Sequence, residues 1–184
     1  RWYEQRKYAI TMAMLPRRRY RHVFEPGCSV GVLTEQLAAR CERVTAIDLV
    51  DSALESAHAR IARCGLSDRV SFHRQSLDSS WPAEDFDLVV LSEVAYYLDA
   101  ALLRDVLDRE LGQMPEGTTV LAAHWRHAVA EYPLTGDEAN RLIGATAGLH
   151  QSAGYRDDDV AIDVFVVGQG PSVAAATGVP GAGS

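Results

Sequence analysis

The sequence predicts an α/β fold: a doubly wound, mostly parallel seven-stranded sheet that ends in an antiparallel hairpin. Two observations predict this fold. Short apolar runs alternate with segments of helical periodicity, the order that places helices on both faces of a parallel sheet. Two apolar runs end in acids, Glu25 and Asp48, and a glycine-rich turn, 26–31, follows the first of them. In such sheets ligands bind beyond the carboxyl ends of the strands, where these acids are expected to lie.

The elements can be assigned in order from the N-terminus. Helical periodicity covers 3–15 and stops at Pro16, because proline breaks the helical hydrogen-bond ladder. Further helices are predicted at 32–40, 53–64, 98–111 and 136–146, and strands at 22–25, 43–48, 70–73, 86–91, 118–124, 149–155 and 160–167. Asp51 or Ser52 is expected to cap the helix at 53–64, and Thr135 or Asp137 the helix at 136–146.

Composition bounds the class of protein. We predict one domain over 1–168 and a disordered C-terminal tail over 169–184, which is rich in Gly, Pro, Ala and Ser. The chain starts at Arg1, so part of the native N-terminus is expected to be missing. No signal peptide and no apolar run of about 20 residues is present, so we expect a cytoplasmic protein without a membrane partner. A net charge of −7 argues against nucleic acid as a partner.

The glycine spacing discriminates between nucleoside ligands. Dinucleotide-binding turns carry glycine at the first, third and sixth positions. Here those positions hold Gly27, Ser29 and Val32, so two of the three requirements fail. The spacing therefore disfavours a nicotinamide-dependent oxidoreductase, which remains a rival outside the favoured class.

Three strings carry a resemblance to a known family. They are residues 25–38 (EPGCSVGVLTEQLA), residues 86–98 (FDLVVLSEVAYYL) and the N-terminal 2–7 (WYEQRK). Together they resemble class I S-adenosylmethionine-dependent methyltransferases, and within that class the nodulation protein S-like branch. The resemblance implies S-adenosyl-L-methionine as cofactor, S-adenosyl-L-homocysteine as product and a Rossmann-like fold.

The resemblance also implies a cofactor site. Its predicted members are Tyr3, Arg6, Glu25, Gly27, Ser29, Gly31, Asp48, Leu49, Ser76, Leu77 and Ser92. Asp48 would accept hydrogen bonds from the ribose hydroxyls, since a carboxylate is a bidentate acceptor for a diol. Many relatives carry an aspartate where this chain has Ser76 and Leu77, and Asp78 comes two residues later.

Other members of this predicted site hold the methionine arm. Glu25, Gly27 and Gly31 would surround it, and Ser29 replaces the middle glycine of the motif. Ser92 would help to fix the amino group. Leu49 would cover one face of the adenine, and Tyr3 and Arg6 are expected to close over the methionine arm as a lid.

Three residues are candidates for the catalytic step. Glu93 follows the fourth strand and could hold or deprotonate the acceptor, while His124 and His127 end the fifth strand as candidate bases, with His124 preferred. No metal is implied, because His-x-x-His has no matched further ligands.

The expected activity is methyl transfer to a small-molecule acceptor, with an amine nitrogen, as in an amino sugar, as the favoured site. Two alternatives stay open. One is small-molecule O-methylation, which would need Glu93 or a histidine as a true base. The other is a non-catalytic subunit that binds S-adenosylmethionine and serves a partner enzyme.

Overall fold

Seven extended segments pair into one sheet in the computed structural model, which describes residues 1–182. In chain order the strands are β1 (Tyr20–Pro26), β2 (Cys41–Asp48), β3 (Val70–Arg74), β4 (Leu88–Ser92), β5 (Thr119–Trp125), β6 (Leu149–Arg156) and β7 (Val160–Val167). Across the sheet the order is β3-β2-β1-β4-β5-β7-β6. Strands β1 to β5 are parallel, and β7 pairs antiparallel with both β5 and β6. The predicted fold class is confirmed.

Helices cover both faces of this sheet. They are α1 (Trp2–Met14), α2 (Val32–Arg40), α3 (Asp51–Arg63), α4 (Ala100–Leu111), α5 (Gly136–Gly144) and the short α6 (Val173–Ala176). One buried cluster contains Leu33, Leu37 and Leu54 from α2 and α3. The other contains Leu103 and Ile143 from α4 and α5. Two apolar clusters on opposite faces explain why β4 consists almost wholly of buried aliphatic residues.

Two helix starts differ from the prediction. Neither Asp51 nor Ser52 caps α3, because Asp48 Oδ1 already accepts a hydrogen bond from Val50 N at 2.9 Å and the helix begins at Asp51 itself. The helix predicted from residue 98 begins at Ala100, after a single 3₁₀ turn over Ala95–Tyr97.

The cap of α5 agrees with one of the two predicted candidates. The Thr135 hydroxyl accepts a hydrogen bond from Glu138 N at 3.2 Å, and Glu138 Oε2 accepts one from Thr135 N at 2.8 Å. This reciprocal pair satisfies two backbone donors that the helix itself leaves unpaired. Asp137 lies inside the first turn of the helix instead.

The domain boundary at residue 168 and the disordered C-terminal tail stay predictions. Helix α6 lies within the segment 169–184, which we predicted to be a disordered tail, and residues 183 and 184 lie outside the described part of the chain. Among residues 1–182, no helix has the length and apolar character needed to cross a membrane.

The sheet order determines where a ligand can bind. Chain connections leave β1 towards β2 on one side and β4 towards β5 on the other, so the order reverses between β1 and β4. The crevice at the carboxyl ends of such strands is the usual ligand site of doubly wound sheets. Glu25, Asp48 and Ser92, near or at the ends of β1, β2 and β4, lie at this edge.

Candidate active site

A cavity of about 770 Å³ opens at the carboxyl ends of β1, β2 and β4, a size usual for small-molecule sites. Most of the predicted site residues line it: Glu25, Gly27, Ser29, Asp48, Leu49, Ser76, Leu77, Ser92 and Glu93. Residues from four separate segments of the sequence are thus brought to one cavity.

The glycine turn provides backbone that approaches the cavity. Gly27 has a φ of 75°, and a Cβ there would lie 2.8 Å from Val94 Cγ2, too close for any side chain. Gly31 has a different task. It does not line the cavity. A Cβ added at Gly31 would lie 2.9 Å from the Cβ of Ala57, so the lack of a side chain at this position lets α2 pack closely on α3.

Asp48 holds the same turn in place. Its Oδ2 accepts a hydrogen bond from Ser29 N at 2.8 Å, and its Oδ1 accepts the bond from Val50 N. Each carboxylate oxygen can accept two hydrogen bonds, so Asp48 retains acceptor positions for a ligand. Ser29 adopts a φ of 50°, the conformation that the more usual glycine would take without strain.

Glu25 is buried at the cavity, and one oxygen of its carboxyl group is unpaired. Its Oε2 has no hydrogen-bond partner among the described residues. Burial, with a smaller contribution from the negative charge of Asp48, raises the pKa of Glu25 to about 8. A buried, unpaired carboxyl group is costly for the folded protein, and a cationic group of a ligand would compensate it.

Glu93 is the opposite case, because both oxygens of its carboxylate are paired. Oε1 accepts a hydrogen bond from Lys7 Nζ at 2.7 Å, and Oε2 accepts bonds from the Tyr96 hydroxyl at 2.6 Å and from Trp125 N at 3.0 Å. Burial alone would raise the pKa of Glu93, but the Lys7 ammonium and these hydrogen bonds outweigh it and lower that pKa. Glu93 is therefore ionised at neutral pH and a weak base.

The backbone of Glu93 is also unusual. Ser29 and Glu93, with φ values of 50° and 55°, are the two non-glycine residues with positive φ in the described part of the chain, and both line the cavity. Strained conformations of this kind cluster at functional sites, where the surrounding structure must stabilise them.

The two histidines do not reach the cavity. His124 is fully buried, its Nε2 accepts a hydrogen bond from Ala95 N at 3.2 Å, and its Nδ1 lies 2.6 Å from Asn140 Oδ1. Because Ala95 N can only donate, Nδ1 carries the proton and donates it to Asn140, so both ring nitrogens are occupied. Burial lowers the pKa of His124. His127 lies at the surface with Asp159 at 2.8 Å.

The predicted lid residues on α1 contact the β6–β7 hairpin instead. Arg6 donates to Asp157 Oδ2 at 2.5 Å and to the Tyr155 hydroxyl at 2.6 Å. The Tyr3 ring packs edge-on against Trp125, with centroids 4.9 Å apart. Neither Tyr3 nor Arg6 lines the cavity, because these contacts direct both side chains towards the end of the sheet.

Sequence reasoning missed two residues of α1 that do belong to the site. Tyr8 lines the cavity, and Lys7 is buried against Glu93. A signal existed, since Tyr3, Lys7 and Thr11 recur at a spacing of four and share one helix face. A lysine on such a face needs a buried partner.

Ser76, Leu77 and Leu49 form the far end of the cavity. Ser76 lines the cavity and its hydroxyl donates to Asp78 Oδ1, whereas Asp78 itself does not line the cavity. Leu49, which follows the end of β2, is 57% exposed and lines the cavity with an apolar side chain.

Comparison with known proteins gives the family. Residues 1–130 match the family model described as Nodulation protein S (NodS). The chain belongs to the nodulation protein S family. Nodulation protein S of Bradyrhizobium diazoefficiens is 31% identical over 136 residues, which are 68% of this chain and 64% of that protein. That of Rhizobium tropici is 35% identical over 97 residues, 52% of this chain and 40% of that protein. The matched part of the chain thus spans 40% to 64% of the length of these relatives.

Solved structures agree with this assignment. A structure described as a putative methyltransferase from Pseudomonas syringae is 36% identical, with a TM-score of 0.72 and coverage of 90% of this chain and 99% of that one. N-methyltransferase NodS from Bradyrhizobium japonicum, solved in complex with S-adenosyl-l-homocysteine, has the same fold at 22% identity, a TM-score of 0.79 and coverage of 90% and 88%. The resemblance to class I methyltransferases of the NodS-like branch is confirmed.

Proposed function

We propose that the protein is an S-adenosylmethionine-dependent methyltransferase that transfers a methyl group to an amine nitrogen of a small-molecule acceptor such as an amino sugar. One observation carries this proposal. In a member of the nodulation protein S family, a single cavity at the switch point contains Glu25, a buried carboxyl group with one unpaired oxygen, and Asp48, a carboxylate with free acceptor positions.

These two acids fit the polar groups of the cofactor. Glu25 would bind the ammonium of the methionine arm, and Asp48 would bind the ribose diol. Gly27 leaves room for the ligand beside them. Ser92 would contribute near the amino group, and Leu49, Ser76 and Leu77 would border the adenine. When bound, S-adenosylmethionine supplies an electrophilic methyl group on a sulfonium leaving group.

The state of Glu93 supports nitrogen as the acceptor atom. An alcohol needs a base to become a nucleophile, whereas an amine already present in its neutral form needs only orientation. Glu93 is ionised and accepts three hydrogen bonds, and His124 has no free nitrogen. Glu93 would hold and align an amine rather than deprotonate an alcohol.

Aromatic residues beside Glu93 support a polar ring as the acceptor. Tyr96 and Tyr132 are stacked, with centroids 4.8 Å apart, and Tyr97 meets Tyr132 edge-on at 4.7 Å. Tyr97 is 53% exposed and lines the cavity. Such rings offer flat apolar faces and hydroxyl groups together, which suits the two characters of a sugar ring.

Methyl transfer from labelled S-adenosylmethionine to a panel of acceptors tests the proposal. The panel contains glucosamine, a chito-oligosaccharide with one free amino group, its fully N-acetylated counterpart as matched control, and catechol. We expect label on the free amines and none on the N-acetylated sugar. Transfer to catechol alone would contradict N-methylation. Binding of S-adenosylhomocysteine without turnover on any acceptor would favour the non-catalytic alternative.

A further inference from the structure

Lys7 is a buried lysine on α1. Of the 18 residues that are Lys or Arg, it is the one lysine, beside 17 arginines. Its side chain is only 6% exposed, and its Nζ lies 2.7 Å from Glu93 Oε1. The same Nζ lies 5.7 Å from the centroid of the Tyr3 ring and 5.0 Å from that of Tyr8. The ammonium is thus held by one carboxylate and two aromatic faces.

The surroundings of the Lys7 ammonium favour a positive charge at this position. Aromatic rings attract a cation electrostatically, and the Tyr3 and Tyr8 rings add this attraction to the ion pair with Glu93. A buried ion pair such as this one contributes little net stability, but removal of one partner leaves an uncompensated charge.

Lys7 also determines how Glu93 is presented to the cavity. Oε2 of Glu93 is fixed by Tyr96 and by Trp125 N, and Lys7 fixes Oε1. With both oxygens fixed, the carboxylate cannot rotate. Three of its roughly four acceptor positions are occupied, so the remaining one has a set direction, and Glu93 lines the cavity.

We propose that Lys7 is a positioning residue for methyl transfer: its ammonium holds Glu93 as a fixed, charged hydrogen-bond acceptor against which the acceptor amine is oriented. The inference rests on the proposed function. Lys7 acts through Glu93, since Glu93 and not Lys7 lines the cavity. The titratable groups that face Glu93 come from α1, from the turn after β4 and from β5: Lys7, Tyr3, Tyr8, Tyr96, Tyr97 and His124.

The charge of Lys7 has a measurable consequence for the pH profile. Burial favours the protonated form of Glu93, and Lys7 opposes it. Without Lys7 the pKa of Glu93 rises, so Glu93 loses its charge at a higher pH than in the wild type. The acid limb of the kcat profile should therefore move to higher pH when the ammonium is removed, and return when a cation is restored.

The experiment compares Lys7→Met and Lys7→Arg with the wild type, with glucosamine as acceptor. Arg141→Met, which removes an exposed helical cation, is the matched control. In Lys7→Met we expect kcat to fall about tenfold or more, S-adenosylhomocysteine affinity to stay within about twofold, and the acid limb to move upward. Lys7→Arg should restore the limb. A wild-type pH profile in Lys7→Met, or the same loss in both variants with an unmoved limb, overturns the inference.

A measurement on the wild type guards against variants that fail to fold. Lysine labelled with ¹⁵N at the side chain gives a single ammonium signal, because the chain has one lysine. We expect this signal to be protected from solvent exchange in the S-adenosylhomocysteine complex and to lose that protection in Glu93→Gln. A rapidly exchanging signal in the complex overturns the inference. Absence of methyl transfer by the wild type overturns the proposed function instead, so the two failures are distinguishable.

Discussion

The two glutamates of the cavity differ in charge at neutral pH, Glu25 being protonated and Glu93 ionised, and neighbouring residues cause the difference. Burial and the negative charge of Asp48 outweigh the Thr34 hydroxyl at Glu25 and raise its pKa to about 8. Glu93 is partly buried, but the Lys7 ammonium and the hydrogen bonds from Tyr96 and Trp125 N keep it ionised. Environments that push the pKa values of two carboxyl groups apart in this way give the two groups different roles. Among residues 1–182 of the free protein, Glu25 has no cationic partner, whereas Glu93 is paired with the Lys7 ammonium.

This difference predicts that ligand binding releases a proton. The pKa of Glu25 in the folded protein, about 8, lies above the roughly 4.3 of an exposed glutamate, so Glu25 is protonated at neutral pH. The free protein should lose stability as pH rises through this window, since ionised Glu25 is buried and unpaired. A ligand ammonium would stabilise the ionised form and expel the proton, so S-adenosylhomocysteine affinity should increase with pH up to about 8.

Calorimetry at pH 7 in two buffers of different ionisation enthalpy measures this proton. We expect release of about one proton per S-adenosylhomocysteine bound, none in Glu25→Gln, and wild-type release in the control Glu55→Gln, an exposed residue of α3. Equal binding enthalpies in both buffers for the wild type would show that Glu25 does not change its protonation on binding.

At the scale of elements, α1 is the helix on which the site depends, because it carries Lys7 and Tyr8. Its C-terminal end is held by Arg40 of α2, whose guanidinium donates to the backbone carbonyls of Met12, Leu15 and Arg17, while Nε donates to that of Arg18. Carbonyls at a helix end lack partners within the helix, so a cation there satisfies several of them at once.

Loss of this clamp should loosen α1 without unfolding the sheet. In Arg40→Gln we expect backbone amides of Trp2–Met14 to exchange faster by an amount equivalent to about 2 kcal/mol, the scale of hydrogen bonds to a charged group. Amides of β4 and β5 should keep wild-type protection. Arg43→Gln, an exposed arginine of β2, is the control. Unchanged exchange of α1 in Arg40→Gln would contradict the role of Arg40.

At the scale of the whole molecule, the sequence predicted the topology and the ligand edge well. Alternation of apolar and helical segments determines a doubly wound sheet, and acids at strand ends then fall near its switch point. Glu25, Asp48 and Glu93 therefore reached one cavity as expected.

Side-chain partners across the fold could not be predicted in the same way. Lys7 and Glu93 are separated by 86 positions in the sequence, and no local pattern indicates that they pair. The ring nitrogens of His124 are paired with Asn140 from α5 and with Ala95 N, which lies between the strand predicted at 86–91 and the helix predicted at 98–111. Arg6 was assigned to the site by resemblance, but Asp157 on the distant hairpin binds it.

The central claim is that the cavity at the switch point binds S-adenosylmethionine, and one titration tests it most directly. Isothermal titration calorimetry of the purified chain with S-adenosylhomocysteine, with NADH as control, should give micromolar affinity for the former and no binding heat for the latter. Binding of NADH would contradict the account. So would a failure to bind S-adenosylhomocysteine over the whole range from pH 6 to roughly 8.5, in which Glu25 can ionise.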